Sequence, residues 1–240
     1  MSYPERIVPD ETEAGIVALH LKRYVFALPW CERREVLDLG CGVGYGTARI
    51  ADVADRVVGG DIDAESVAYA RQRYARTNVE FVELDATDLP FEHASFDIVC
   101  SFETVEHVDD PEALVREAAR VLREGGTFLV STPRADETTH APANPYHRVE
   151  FARADFEQLL GSHFGEVDLY GEARSQSRLH RTAQRLDVLG LRRRWSFLRR
   201  ASAITGTRAT EYLSLDDVVI SRDGIERAEA LYAVCTRPRG

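Results

Sequence analysis

The chain has 240 residues, 44% of them hydrophobic and 29% charged, with a formal net charge of −10 at pH 7 and a pI near 5.2. That length and balance suit one sizeable globular domain and exclude a disordered chain, while the acidic excess excludes a broad nucleic-acid-binding surface. The four cysteines, Cys31, Cys41, Cys100 and Cys235, show no paired C-x-x-C spacing, so a disulfide framework or zinc finger is not expected.

In chain order, the segment from Met1 to Arg6 lacks the apolar core of a signal peptide, and no apolar run approaches membrane-spanning length. A cytoplasmic protein without a membrane span is the expectation. Apolar residues at helical spacing from Glu11 to Ala27 (Ile16, Leu19, Leu21, Val25, Phe26) predict a helix stopping at Pro29, a lid formed by residues 1–30. Glu35–Leu39 reads as a short buried strand feeding a run of glycines from Gly40 to Gly46, and Thr47–Ala54 as a helix. Arg56–Asp61 reads as a second strand, Ala64–Ala75 as a helix, and Val79–Leu84 as a third strand closed by Asp85. A fourth strand, Phe96–Ser101, is followed by a helix, Pro111–Leu122, a turn at Gly125-Gly126, and a fifth strand, Thr127–Ser131, stopped by Pro133. This alternation predicts an α/β fold, a doubly wound Rossmann-like, mostly parallel sheet with helices on both faces. Right-handed crossovers then gather the strand C-termini on one edge, where ligands bind.

Beyond Pro133 the rhythm loosens: a polar loop from Arg134 to Val149, a helix from Arg153 to Leu160, a strand over Glu166–Tyr170, and a closing edge strand over Ala230–Thr236. Between Gly171 and Arg200 stand nine arginines against only Glu172 and Asp187. With the Ser/Thr-rich stretch after it, this region (171–210) reads as a helical cap insertion, its leucines against the core or a second subunit of a homodimer. An anionic-acceptor site and membrane-surface contact are the other readings of the arginines.

The first loop, Asp38-Leu-Gly40-Cys-Gly42-Val-Gly44, lets backbone approach a ligand closely. The dinucleotide fingerprint G-x-G-x-x-G fails in both registers, because its last glycine would fall on Tyr45 or Thr47. Asp61, ending the second strand, can accept hydrogen bonds from ribose hydroxyls, and Asp85, ending the third, can accept from an adenine amino group beside Ala86. A cationic sulfonium without phosphates accommodates an acid, Asp38, in the loop, whereas a pyrophosphate would be repelled. The alternative is that Asp38 and Asp61 only cap helices or turns.

Val36-Leu-Asp-Leu-Gly-Cys-Gly-Val-Gly-Tyr-Gly46, Gly60-Asp-Ile-Asp63, Asp85-Ala-Thr-Asp-Leu-Pro-Phe91 and Ser95-Phe-Asp-Ile-Val99 together resemble the successive motifs of class I S-adenosylmethionine-dependent methyltransferases. The resemblance runs from about residue 34 to 133, the cofactor-binding core of a single domain spanning 1–240. It implies a seven-stranded sheet with a reversed hairpin at its C-terminal edge. It also implies S-adenosylmethionine as methyl donor, with Asp38, Gly40, Gly42 and Gly44 on the methionine side, Asp61 and Ile62 at ribose and adenine, Asp85 and Ala86 at adenine, and Ser101 among the cofactor residues.

After the fourth strand, Glu103, Glu106 and His107 stand at i, i+3 and i+4, which on a helical turn puts two carboxylates and an imidazole on one face. Such a set can hold a divalent ion, Mg²⁺ or Mn²⁺, and His147 in Asn144-Pro-Tyr-His147 follows the fifth strand on the same sheet edge. The Glu-x-x-Glu-His segment resembles that of metal-dependent O-methyltransferases acting on small RNAs and in the ubiquinone pathway. With Asn144–His147 and His20–Tyr24, it also resembles bacterial methyltransferases associated with polysaccharides. Glu103, Glu106, His107 and His147 are the expected metal ligands, and Glu106, His107 and His147 the catalytic candidates, either histidine alternatively serving as general base. Where no metal is used, Glu106 and His107 would bond backbone at a helix start. His20 and Tyr24 read as helix-surface or cofactor-lid residues, and His93, His140, His163 and His180 as solvated. The expected activity is methylation of a hydroxyl on a saccharide or glycosylated metabolite. The alternatives are a phenol or catechol, an RNA 2′-hydroxyl, which the acidic charge disfavours, and a regulator that binds S-adenosylmethionine without turnover.

Overall fold

The computed structural model describes residues 7–174 and 214–239. Most of the predicted cap, including Arg178, Arg181, Arg185 and Arg192 to Arg194, and His180 with it, lies outside the described residues.

The elements run α1 (Ala14–Cys31), β1 (Glu35–Leu39), α2 (Tyr45–Ile50), β2 (Arg56–Asp61), α3 (Ala64–Arg73), β3 (Val79–Glu83) and β4 (Phe96–Phe102). They continue with α4 (Pro111–Val121), β5 (Leu122–Ala135), β6 (Phe151–Ala152), α5 (Arg153–His163), β7 (Phe164–Arg174), β8 (Val218–Ser221) and β9 (Ala230–Pro238). Local chemistry explains several starts. Asp63 caps α3 by accepting from the Ser66 amide at 3.1 Å, and Asp110 caps α4 by accepting from Ala113 at 3.0 Å, with Pro111 placed where its missing N–H does no harm. The predicted stop at Pro29 is corrected: α1 runs through it to Cys31. A proline so near the end removes one backbone bond without a full turn left to disrupt.

The sheet order is β3-β2-β1-β4-β5-β9-β7-β8, with β6 beside β5. Strands β1 to β5 pair in parallel, and β9 lies antiparallel between β5 and β7. The Rossmann-like sheet and the reversed strand are therefore as expected, with β6 and β8 as short additions to the seven. One placement differs: β9 is interior, not an edge strand. Its residues Ala230 to Cys235 are all buried, because both faces and both edges are covered. Likewise β7 extends to Arg174, so the region read as an insertion begins inside a strand paired with β8.

Alternation along the strands builds two cores. Ile98, Cys100 and Phe102 of β4 pack with Tyr24, Ala27 and Cys31 of α1 and Ile50 of α2, whereas Val99 joins Leu114, Val115, Ala118, Phe156 and Leu160 from α4 and α5. Both faces being apolar gives near-continuous hydrophobic strands such as Phe96–Phe102. All four cysteines are buried and unbridged. Among the described residues no helix is long and apolar enough to cross a membrane. The order reverses between β1 and β4, and the crevice beyond their C-terminal ends is where a doubly wound sheet accepts ligands.

Candidate active site

Two cavities open on this edge. The first, about 500 Å³, is lined by Gly40, Gly42, Asp61, Ile62, Asp85 and Ala86 among others. The loop after β1 is fixed by its own amides: Gly40 and Cys41 N–H both donate to the Gly60 carbonyl, at 2.8 and 3.0 Å. Gly42 N–H donates to Asp61 Oδ2 at 2.7 Å, and Asp63 N–H to Asp61 Oδ1 at 2.9 Å. Asp61 is thereby held at the cavity wall with acceptor capacity remaining on its oxygens. Asp85 Oδ1 accepts from the amide and hydroxyl of Thr87, at 2.8 and 2.7 Å. Gly40 has φ +72°, and a Cβ there would sit 2.2 Å from Thr104 Oγ1, so glycine is required on two counts.

Asp38, Gly44 and Ser101 are not among the residues lining either cavity. Asp38 lies behind the loop, where its Oδ2 accepts from Thr47 Oγ1 at 2.7 Å and Oδ1 has no hydrogen-bond partner among the described residues. Burial pushes its carboxyl up to about 7, against the opposing effect of the Thr47 bond. Gly44 forms the left-handed N-terminal boundary of α2, and Ser101 is fully buried in β4.

The second cavity, about 480 Å³, is lined by His20, Arg23, Tyr24, Tyr45, Phe102, Glu106, Asn144 and His147. It shares Gly40, Gly42, Glu103 and His107 with the first, so these four residues form the boundary between the two spaces. Candidate ligand atoms of Glu106, His107 and His147 lie within 4.8 Å of one another. Glu106 is fully buried; Oε2 accepts from Thr132 Oγ1 at 3.1 Å, while Oε1 has no hydrogen-bond partner among the described residues. Burial and the nearby Glu103 raise its carboxyl well above the ordinary range. The Tyr146 carbonyl lies 3.0 Å from His107 Nδ1. A carbonyl only accepts, so Nδ1 carries a proton in this contact.

Glu103 does not join this group, which corrects the expected ligand set. The segment after β4 is not helical, and Glu103 takes φ +52°. That turn sends its carboxylate to Arg23 Nη2 at 3.0 Å and to Ser131 Oγ, which donates at 2.7 Å. The same arrangement revises α1. Arg23 is buried, and its Nη1 donates to His20 Nδ1 at 3.1 Å. Burial and the Arg23 charge hold His20 down to about 3, hence neutral. Burial opposes charge on Arg23 itself, but Glu103, Tyr232 and Glu172 more than offset it and raise its pKa. Tyr24 is buried too, its ring edge-on to Phe102 and Tyr45 at 5.4 and 5.9 Å. Arg23, Tyr45 and Asn144 are cavity residues that sequence reasoning missed. For Arg23 the available signal was its spacing from His20 and Tyr24, which places all three on one helix face.

Comparison with known proteins agrees with this fold. Residues 37–130 match a family model described as a methyltransferase domain. A probable S-adenosylmethionine-dependent methyltransferase of Mycolicibacterium smegmatis is 43% identical over 141 residues, covering 58% of this chain and 54% of that protein. The 27-O-demethylrifamycin SV methyltransferase of Amycolatopsis mediterranei is 38% identical over 108 residues, 43% of this chain and 40% of that one. The chain thus spans about half the length of the curated relatives it matches. Among solved structures, an S-adenosylmethionine-dependent methyltransferase from Mesorhizobium loti aligns with a TM-score of 0.58 at 16% identity, over 95% of this chain and 99% of that one. At that identity the likeness speaks for the fold alone.

Proposed function

We propose that this chain, whose residues 37–130 match a methyltransferase-domain family, is a class I S-adenosylmethionine-dependent methyltransferase that transfers the methyl group to a hydroxyl of a saccharide or glycosylated metabolite. The observation that carries the reading is the meeting of two cavities at Gly40, Gly42, Glu103 and His107, with His147 lining the second. The first takes the donor: Asp61 toward the ribose, Asp85 and Ala86 toward adenine, and Ile62 over its face. The second takes the acceptor, and its polar lining interrupted by Tyr24, Tyr45 and Phe102 suits a polyhydroxylated ring better than a flat phenol. The relative acting on a demethylrifamycin oxygen supports oxygen as the accepting atom.

Transfer is an in-line displacement. The bond from sulfur to the methyl carbon breaks as the acceptor oxygen bonds to that carbon, and the sulfonium becomes a neutral thioether. The protein's main task is to align the two reactants and exclude water. The hydroxyl proton must also leave, and His147 Nε2 is the proposed base.

In place of that base, the donor set fits a divalent cation: a buried carboxylate oxygen with no hydrogen bond among the described residues, Glu106 Oε1, faces two imidazoles. Glu106, His107 and His147 would then hold Mg²⁺ or Mn²⁺, which would lower the pKa of an acceptor hydroxyl and orient a neighbouring oxygen. Calorimetry with S-adenosylmethionine, with and without Mn²⁺, followed by a radiolabelled methyl-transfer screen over glycans, phenols and RNA, tests the whole reading. No donor binding would overturn it. Transfer to phenols or RNA alone would replace the acceptor, and turnover that survives both exhaustive chelation and Glu106→Ala would remove the cation.

A further inference from the structure

The loop from Asn144 to Glu150 carries more than His147. Glu150 Oε1 lies 2.9 Å from His147 Nδ1, and Asn144 Nδ2 lies 2.9 Å from His147 Nε2. Both contacts have a defined direction. A carboxylate accepts only, so the ring proton that meets Glu150 is on Nδ1. The Asn144 amide is oriented independently, because the Tyr146 backbone N–H donates to its Oδ1 at 3.1 Å. Its NH₂ therefore faces His147, and an NH₂ donates to a lone pair.

We propose that Glu150 is a positioning residue that holds His147 in the Nδ1–H tautomer, with the Nε2 lone pair presented to the acceptor cavity. Asn144 keeps that lone pair occupied until an acceptor hydroxyl takes its place. The inference rests on the methyl-transfer reading for its purpose, but its geometry stands apart from it.

The surrounding backbone makes the arrangement stiff. Glu150 and Thr139 exchange backbone bonds, both at 3.0 Å, and Arg148 N–H donates to the Glu106 carbonyl at 2.7 Å. Val149 between them is buried. The His147 side chain is 9% exposed, so solvent has little access to scramble the tautomer. A wrong tautomer would place a proton where the acceptor hydroxyl must deliver its own. It would equally block Nε2 as a ligand atom, and ligating histidines characteristically donate their second nitrogen to a carboxylate.

The test is long-range ¹H–¹⁵N NMR of the full chain with labelled imidazoles, the His147 signal assigned by its loss in His147→Gln. Wild type should show the Nδ1–H pattern, and Glu150→Ala should move it toward Nε2–H. Methyl transfer should fall about 10- to 100-fold in kcat, with affinity for S-adenosylmethionine unchanged. Glu150→Gln, whose amide oxygen still accepts from Nδ1, should keep the wild-type pattern, and it serves if the alanine variant fails to fold. An Nε2–H pattern in wild type, or an unchanged spectrum in Glu150→Ala, would overturn the proposal. A tautomer change without any detectable methyl transfer in wild type would uphold Glu150's role and sink the methyltransferase reading instead.

Discussion

Arg23 Nη2 sits 3.0 Å from Glu103 Oε2, an ion pair whose side chains are only 10% and 19% exposed. It joins α1 to the end of β4 and accounts for a left-handed, non-glycine backbone at Glu103, a conformation that costs about 1–3 kcal/mol. Removing one partner strands the other charge away from water. Arg23→Met should therefore destabilise the chain by about 3 kcal/mol, and adding Glu103→Gln should restore part of the loss. Thermal and denaturant unfolding of the single and double variants checks this. Equal stability of Arg23→Met and wild type would mean the pair contributes nothing.

Tyr24 of α1 and Gly46 of α2 give a second prediction. A Cβ at Gly46 would lie 1.8 Å from the Tyr24 ring, far inside contact distance. Gly46→Ala should push the ring out of its place beside Phe102, at about 1–3 kcal/mol of overpacking. The expected readout is a lower Tm together with altered near-UV dichroism from the displaced tyrosine. A variant as stable as wild type would contradict the packing.

The lining of the first cavity was legible in part because its signals are local, although Asp38, Gly44 and Ser101 do not line it. A buried strand, a glycine run and an acid at a strand end are each read within ten residues, and Asp61 and Asp85 stand where those patterns place them. The second cavity depends on contacts the sequence separates widely. The spacing groups Glu103 with the metal ligands only on a helical turn, and the positive φ that turns it toward Arg23 has no signature in a glutamate. Arg23 sits on a helix whose charged residues ordinarily face solvent, and Glu103, 80 positions along the chain, with Glu172 and Tyr232, reverses that. Strand β9 reads as a strand, but whether it is interior or at an edge depends on β7 and β8 pairing beyond it.

Asp38 predicts a pH dependence. Its folded pKa of about 7 lies above its ordinary value of 3.8. The folded chain therefore holds this proton more tightly than the unfolded one, and stability is fully present below about pH 4 and lost as pH rises through 7. Asp38→Asn removes the ionisation and should stabilise the protein at pH 8 by at most about 4 kcal/mol, at roughly 1.4 kcal/mol per pKa unit. At pH 4 the contribution should disappear. Unfolding curves across this range decide it: a difference that is independent of pH would show that Asp38 does not titrate as its burial requires.

Ile62 predicts the position of the donor's base. It is a large apolar side chain left 67% exposed, and it lines the first cavity between Asp61 and Ala86. An adenine seated there would cover it, and full burial of an isoleucine is worth about 1.5–3 kcal/mol. Covering the exposed part should therefore contribute about 1–2 kcal/mol, or roughly five- to thirtyfold in affinity. Ile62→Ser should weaken S-adenosylmethionine binding by about tenfold while leaving the unliganded Tm unchanged, since an already exposed side chain adds little to folding. This pairing separates a ligand contact from a folding defect, which Asp61 substitutions cannot do because Asp61 also anchors the Gly42 amide. Calorimetric affinity equal to wild type would place the base elsewhere in the cavity and leave Ile62 as an ordinary exposed residue.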